Sequence, residues 1–311
     1  MGSLLSELAK RAAGRWFDML VIPGVLYLAA LAVARAWGWS HPFALDRLGD
    51  RLTVWSESGR VQSTGGIVVV LVSVTAAAAA AGLAAGGVAS LVESLWFADG
   101  RRTWRRPFRD LARWRVERRR GEWTARHRAY RHKYDEEVDA VRYGRPRDPD
   151  GLDAAYQKLV RIAHEWPDRP TWIGDRINAV VVRVQRDHGL DLTLAWPYLF
   201  VVVPEATRTE IVAARAGLSG AARLAAWSVL YALVGILSWP FLLLAACVAT
   251  AAWRRGRTAA TVYARLLDVA VRLHATELAD HVGVQHAGAL DTATGSALTD
   301  ALTPSLPPAG P

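Results

Sequence analysis

From Gly66 to Trp96 the chain runs for thirty-one residues with a single charged side chain, Glu93. A helix on the surface of a soluble protein keeps a polar stripe toward water. This run has none, only small hydroxyls such as Ser73 and Thr75. At 1.5 Å per residue, about 20 residues cross the roughly 30 Å hydrocarbon core of a bilayer. The segment therefore reads as a membrane helix.

Two further runs have the same character. Trp16–Trp37 is apolar, with Asp18 and Arg35 near its ends, where they reach headgroups and water, and with Pro23 one turn inside to bend it slightly. The third run, Leu224–Trp253, would measure roughly 45 Å as one straight helix, and Ser238, Trp239 and Pro240 fall at its middle. Proline is disfavoured inside a helix and favoured at its first turn. The run is thus either one kinked, tilted span or a hairpin with its tip near Trp239. Arg215 and Arg223 precede it and Arg254, Arg255 and Arg257 follow it. By the positive-inside rule both ends belong in the cytoplasm, which favours the hairpin. Each leg then holds only about 15 apolar residues and must thin the bilayer or stop short of its far side.

The first pair of runs orients clearly. Lys10, Arg11 and Arg15 precede the first, and the loop from Gly38 to Gly65 is charge-balanced. Behind the second run, Arg101–Lys133 carries fourteen basic residues against Asp110, Glu117 and Glu122, a larger local excess than the net +9 of the whole chain. The N-terminus and the large region after the second run fall inside, with a short loop outside. The N-terminal stretch runs past 20 apolar residues without a clear small-residue cleavage site, so it reads as a retained anchor. Eight of the fourteen tryptophans (16, 37, 39, 96, 104, 227, 239 and 253) fall at run boundaries or at the proposed tip, the headgroup level this side chain favours.

After Pro107 the basic stretch has no helix breaker except Gly121, and it reads as a long polar helix. Its arginines hold this end inside. Arg101, Arg102, Arg105, Arg106 and Arg109 are also placed to meet anionic lipid headgroups, a contact of about 1 kcal/mol per basic residue. Nucleic acid is not an expected partner, because no recognition fold accompanies the basic and aromatic residues. Tyr143–Gly151 reads as a loop and Leu152–Trp166 as a short helix. Thr171 can cap a helix from Trp172 to His188 that Gly189 ends. Leu190–Pro204 is apolar but too short to span. Arg254–Val282 is helical with one apolar stripe, and Gly283–Pro311 has too little apolar content to order.

The segment from Pro170 to Glu205 carries Pro170-Thr171, Gly174-Asp175, Gly189-Leu190-Asp191, Trp196-Pro197 and Pro204-Glu205. This pattern resembles a signature of uncharacterised polytopic membrane proteins of high-G+C bacteria, and the similarity extends over roughly half the chain. The resemblance implies a bacterial membrane location and nothing catalytic.

Candidate sites are few. Asp18 and Glu93 lie within about a turn of an interface, which makes anchoring a better account of them than an ion pathway. Ala78, Gly82, Gly86 and Ser90 recur every four residues, a spacing that lets helices approach closely, against the first span or in a homo-oligomer. The histidines (127 and 132, 281 and 286) pair at a spacing of five, which shares no helix face, and no cysteine lies near them, so no metal is expected. Asp168, Asp175, Asp187 and Asp191 are four carboxylates close in sequence; two cap or flank helices, and no catalytic use is expected of them. Cys247 is the only cysteine, which rules out an intrachain disulfide. No nucleotide-binding or hydrolase motif occurs and no cofactor is expected.

The sequence thus describes an all-α, polytopic membrane protein with a helical cytoplasmic region, in a bacterial plasma membrane. It divides into a helix pair (1–97, spans about 16–37 and 66–96), a basic helical region (98–222), an apolar hairpin (223–253), an amphipathic helix (254–282) and a tail (283–311). The expected function is that of a non-enzymatic membrane scaffold or regulator that presents a cytoplasmic surface to a protein partner. Thr171, Gly174, Asp175, Asp191, Trp196 and Pro197 are the residues assigned to that surface. The alternative is a small transporter or channel subunit, against which the lack of mid-membrane charge and of repeated halves argues.

Overall fold

The computed structural model describes residues 21–39, 63–98 and 108–304. Among these it contains nine α-helices and no strand. They are α1 (Ile22–Trp37), α2 (Thr64–Phe97), α3 (Phe108–Tyr143), α4 (Pro149–Val160), α5 (Trp172–His188), α6 (Leu192–Val202), α7 (Glu205–Gly235), α8 (Pro240–Val282) and α9 (Thr292–Leu302). The chain divides into two compact units, one of residues 1–93 and 219–255, the other of 94–218 and 256–311.

The first unit holds the apolar segments. Proline sits in the first turn of α1, and Gly24 beside it is buried. A Cβ on Gly24 would collide with the backbone of Ala78 in α2, so the two helices approach as closely as only a glycine allows. Tyr27 of α1 packs against Trp227 and Tyr231 of α7 with ring centroids 6.1 and 6.0 Å away. At the other end of α1, Trp37 meets Phe241 and the Trp39 indole N–H donates to the Ile236 carbonyl at 2.6 Å. The apolar run 224–253 is not a single helix. After Gly235 the chain makes two tight turns, Ile236 N–H to the Leu233 carbonyl and Leu237 N–H to that of Val234, and α8 begins at Pro240. Proline there is pre-set for a helix start and lacks the N–H that would otherwise go unpaired. Gly235 lies against Leu242, where a Cβ would not fit, so the chain reverses within this turn.

Among the described residues, two helices are long and apolar enough to cross a membrane, Gly65–Phe97 and Glu205–Gly235. The described part of the first expected span is shorter, the 16 residues of α1, and its residues 16–20 lie outside the described segments. The two long helices differ in cover. Of the most apolar stretch of α2 only 11% is buried inside the protein, against 44% for α7.

The second unit is built around a conventional core. Val180 and Val184 of α5, Leu192 and Leu199 of α6, Ile211 of α7, Leu267, Val271 and Leu278 of α8 and Leu298 of α9 pack into one cluster. Gly217 of α7 lies beside Ala259 of α8, and Leu218 clusters with Ala260, so the two helices pack against each other here. Helix α5 has the expected bounds: the Thr171 hydroxyl accepts from the Gly174 N–H at 3.1 Å, and Gly189 closes the helix at φ 68°, where side chains are disfavoured.

Residues 283–304 differ from the sequence expectation. They were expected to lack order, yet they carry α9, whose Leu298 is fully buried. The Asp291 side chain caps the helix by accepting from the Thr294 N–H at 2.8 Å. Gly295 lets α9 approach the His188 carbonyl at the end of α5, where a Cβ would clash. Thr299 ties it further, its hydroxyl accepting from the Asp191 N–H at 2.9 Å. A few leucines on one face suffice when glycine and threonine supply close backbone contacts.

Candidate functional site

The residues assigned to a partner surface separate into two groups. Thr171, Gly174 and Asp175 belong to an internal node at the start of α5. The Thr171 hydroxyl faces the Trp96 carbonyl at 3.2 Å, and a side chain on Gly174 would run into the same carbonyl. Asp175 is 4% exposed. Its Oδ1 accepts from the backbone N–H groups of Asp168 (3.0 Å) and Arg169 (2.8 Å), and its Oδ2 lies 2.6 Å from Arg119 Nη2. The same Arg119 nitrogen donates to the Ile162 carbonyl at 2.7 Å. A buried carboxylate is thus held between α3, the 161–170 connection and α5. Gly174 and Asp175 are buried and Thr171 is half-buried, so this part of the assigned surface is built into the fold.

Burial pushes the Asp175 carboxyl up to about 6, with Arg119 and the two backbone N–H groups pulling the other way. The Arg119 guanidinium is pushed below its ordinary value by the same loss of water. Both shifts say that the cost of burying the pair exceeds its mutual attraction, as expected for buried ion pairs. Loss of Arg119 alone would leave the carboxylate without a counter-charge.

Arg119 is not alone in this role. Arg120 donates to the Pro167 carbonyl at 2.8 Å and pairs with Asp168 at 2.7 Å, and the Trp123 indole donates to the Ala163 carbonyl at 3.1 Å. Part of the basic stretch therefore straps the 161–168 connection onto α3, a use that net charge does not reveal. Of the arginines assigned to lipid headgroups, Arg101, Arg102, Arg105 and Arg106 lie outside the described residues, while Arg109 is half-buried in the first turn of α3.

Asp191, Trp196 and Pro197 form the second group, on α6. The Asp191 side chain caps α6 by accepting from the Thr193 N–H at 2.8 Å. Trp196 is half-buried against the core and packs on Phe200, while Pro197 is exposed. Next to it Tyr198 and Val201 are 51% and 73% exposed. The accessible part of the expected surface is therefore the outer face of α6, to which Tyr198 and Val201 must be added. The sequence hid them inside what looked like a uniformly apolar segment.

In the first unit, Ala78 and Gly82 are buried, whereas Gly86 and Ser90 are exposed and nothing lies within 4 Å of a Cβ placed on Gly86. The buried positions continue instead through Ala85 and Ala89. A strict spacing of four drifts about 40° per step around a helix of 3.6 residues per turn, whereas alternating steps of four and three keep to one face.

No cluster of metal-ligating side chains occurs among the described residues. No protein-family model matches the chain, nor does any curated protein or solved structure.

Proposed function

We propose that the chain is a multi-pass integral membrane protein of a bacterial plasma membrane, with a cytoplasmic N-terminus, acting as a non-enzymatic scaffold or regulator. The observation that carries this reading is α2. Ile67, Val68, Val69, Leu71, Val72, Val74, Leu83, Leu91 and Leu95 on that helix are all more than a third exposed. At roughly 25 cal/mol per Å² of apolar surface, leaving such a set in water costs on the order of 10 kcal/mol, comparable to the whole stability of an ordinary domain. The core helix of a soluble protein meets the same composition test but is covered by its neighbours. Hydrocarbon is the solvent that suits this one.

The helical unit outside the bilayer presents α6 to a protein partner, with Pro197, Tyr198 and Val201 as its exposed apolar face. The basic 98–140 segment adds attraction for anionic headgroups.

Topology tests the first part. In a Cys247→Ser background, Ser58→Cys is expected to react with an impermeant maleimide added to intact cells, and Arg142→Cys only after lysis. Labelling of Arg142→Cys from outside contradicts the orientation. For the second part, a photo-crosslinking residue at position 198 is expected to give a discrete adduct that the same residue at 142 does not. Equal adducts from both positions count against the α6 face.

A further inference from the structure

One face of α5 carries Trp172, Arg176 and Arg183, positions that project within about 40° of one another on a helix. Arg257 of α8 lies over the Trp172 ring with its guanidinium carbon 4.0 Å from the ring centroid, a stacking that fixes the orientation of the fork. His164, from the 161–170 connection, stands edge-on to the same ring at 6.3 Å. Arg161 brings a further cation next to Arg257.

Arg176 and Arg183 meet little counter-charge among the described residues. Asp268 and Tyr156 face Arg176, but Asp268 is already paired with Arg272 at 3.1 Å. The buried Nε atoms of Arg176 and Arg183, and Nδ1 of His164, have no hydrogen-bond partner among the described residues. A half-buried guanidinium without an acceptor beside two like charges opposes folding. The cluster also acts on the imidazole: burial, then Arg176, Arg183 and Arg257, push His164 down to about 4, so it stays neutral and can still offer one N–H. The shared core of α5 and α8 is made by Val180, Val184, Leu267 and Val271, on other positions than these arginines.

We propose that His164, Arg176, Arg183 and Arg257 form a binding site for a phosphoryl anion. Several guanidinium forks and an imidazole supply more donors than the two oxygens of a carboxylate can accept, whereas a phosphoryl group offers three or more oxygens and up to two charges. The group comes from one of two sources, the headgroup of an anionic lipid or a soluble phosphate ester. The site does not depend on the α6 surface.

The test uses the full-length chain in neutral phosphatidylcholine nanodiscs, melted in inorganic phosphate and in chloride at equal ionic strength and pH. A saturable rise in Tm with phosphate is expected. R176Q and R183Q should each raise the Tm in chloride, by relieving repulsion, while increasing the half-saturating phosphate concentration roughly tenfold. R142Q, an equal loss of charge at an exposed end of α3, should leave both quantities unchanged. Exchanging part of the lipid for phosphatidylglycerol separates the sources. A headgroup ligand should abolish the response to added phosphate in the wild type, and a soluble one should leave it intact, each outcome supporting the site. Phosphate no better than chloride, or a response that survives both R176Q and R183Q at full strength, would overturn it.

Discussion

Helices α2 and α5 are both rich in valine and isoleucine, and they put those side chains to opposite use. On α5 all the apolar residues but Val182 are buried or half-buried, and Ile173, Val180 and Val184 are at most 5% exposed. On α2 they occupy every face, and Val69, Leu71, Val72, Leu83 and Leu91 are each more than 60% exposed. A single stripe can be covered by one or two neighbours, so α5 folds into a core with α6, α7 and α8. The described neighbours of α2 cover only its Ala78–Ala89 edge and leave the other faces open. The two helices differ in what stands between the apolar residues: α5 interleaves its stripe with arginines, aspartates and an asparagine, whereas Glu93 is the one charged side chain of α2.

The comparison breaks most readily at the buried ion pair of the second unit. Arg119→Leu is expected to cost about 4 kcal/mol, since it leaves the Asp175 carboxylate buried without its counter-charge. Asp175→Asn should cost less, because an amide oxygen still accepts from Asp168 and Arg169. Chemical denaturation followed by tryptophan fluorescence measures both, and equal costs would contradict the assignment.

The sign of a second substitution discriminates between water and lipid as the surroundings of α2. Leu83→Arg should reduce membrane integration by about 3 kcal/mol on an insertion scale, read as the glycosylated or protease-protected fraction. Were α2 in water, the same change would improve solubility and leave folding alone.

Next in size is the close approach of α1 and α2. Gly24→Val forces a side chain into the Ala78 backbone and is expected to cost about 2 kcal/mol, lowering the melting temperature in detergent. Gly86→Val meets open space and should be near neutral.

An effect of similar size is one of pH. The Asp175 carboxyl titrates near 6 in the folded chain, above its ordinary 3.8. A raised acid favours the folded state when protonated, so this contribution is complete below about pH 4 and is lost as pH rises through about 6. The wild type should lose on the order of 2 kcal/mol over that interval relative to Asp175→Asn. His164, depressed to about 4, works in the opposite sense and is common to both proteins, so it cancels in the difference.

How far the sequence led is clearest at particular residues. Helix α5 was legible from both ends, because Thr171 and Gly189 act on their own immediate backbone. The reversal at Trp239-Pro240 was legible as one of two forms, since proline chemistry is local too. Helix α9 was not, because what holds it is the approach of Gly295 to His188 and the bond from Asp191 to Thr299, contacts made across more than a hundred residues. The node of Arg119 and Asp175 was hidden for the same reason, and Asp175 looked like a surface residue because a carboxylate usually is one. Arg176 and Arg183 could have been noticed, seven residues apart on a helix already delineated. Their significance depends on His164 and Arg257, which only the fold brings beside them.

The most direct test of the central claim is physical partition of the full-length chain. Membranes from cells expressing it are stripped with alkaline carbonate in the absence of detergent and pelleted at high speed. The protein is expected to stay in the pellet and to be released only by detergent. Recovery of the folded chain in the supernatant would contradict it, since α2 would then have to be stable with its apolar faces in water.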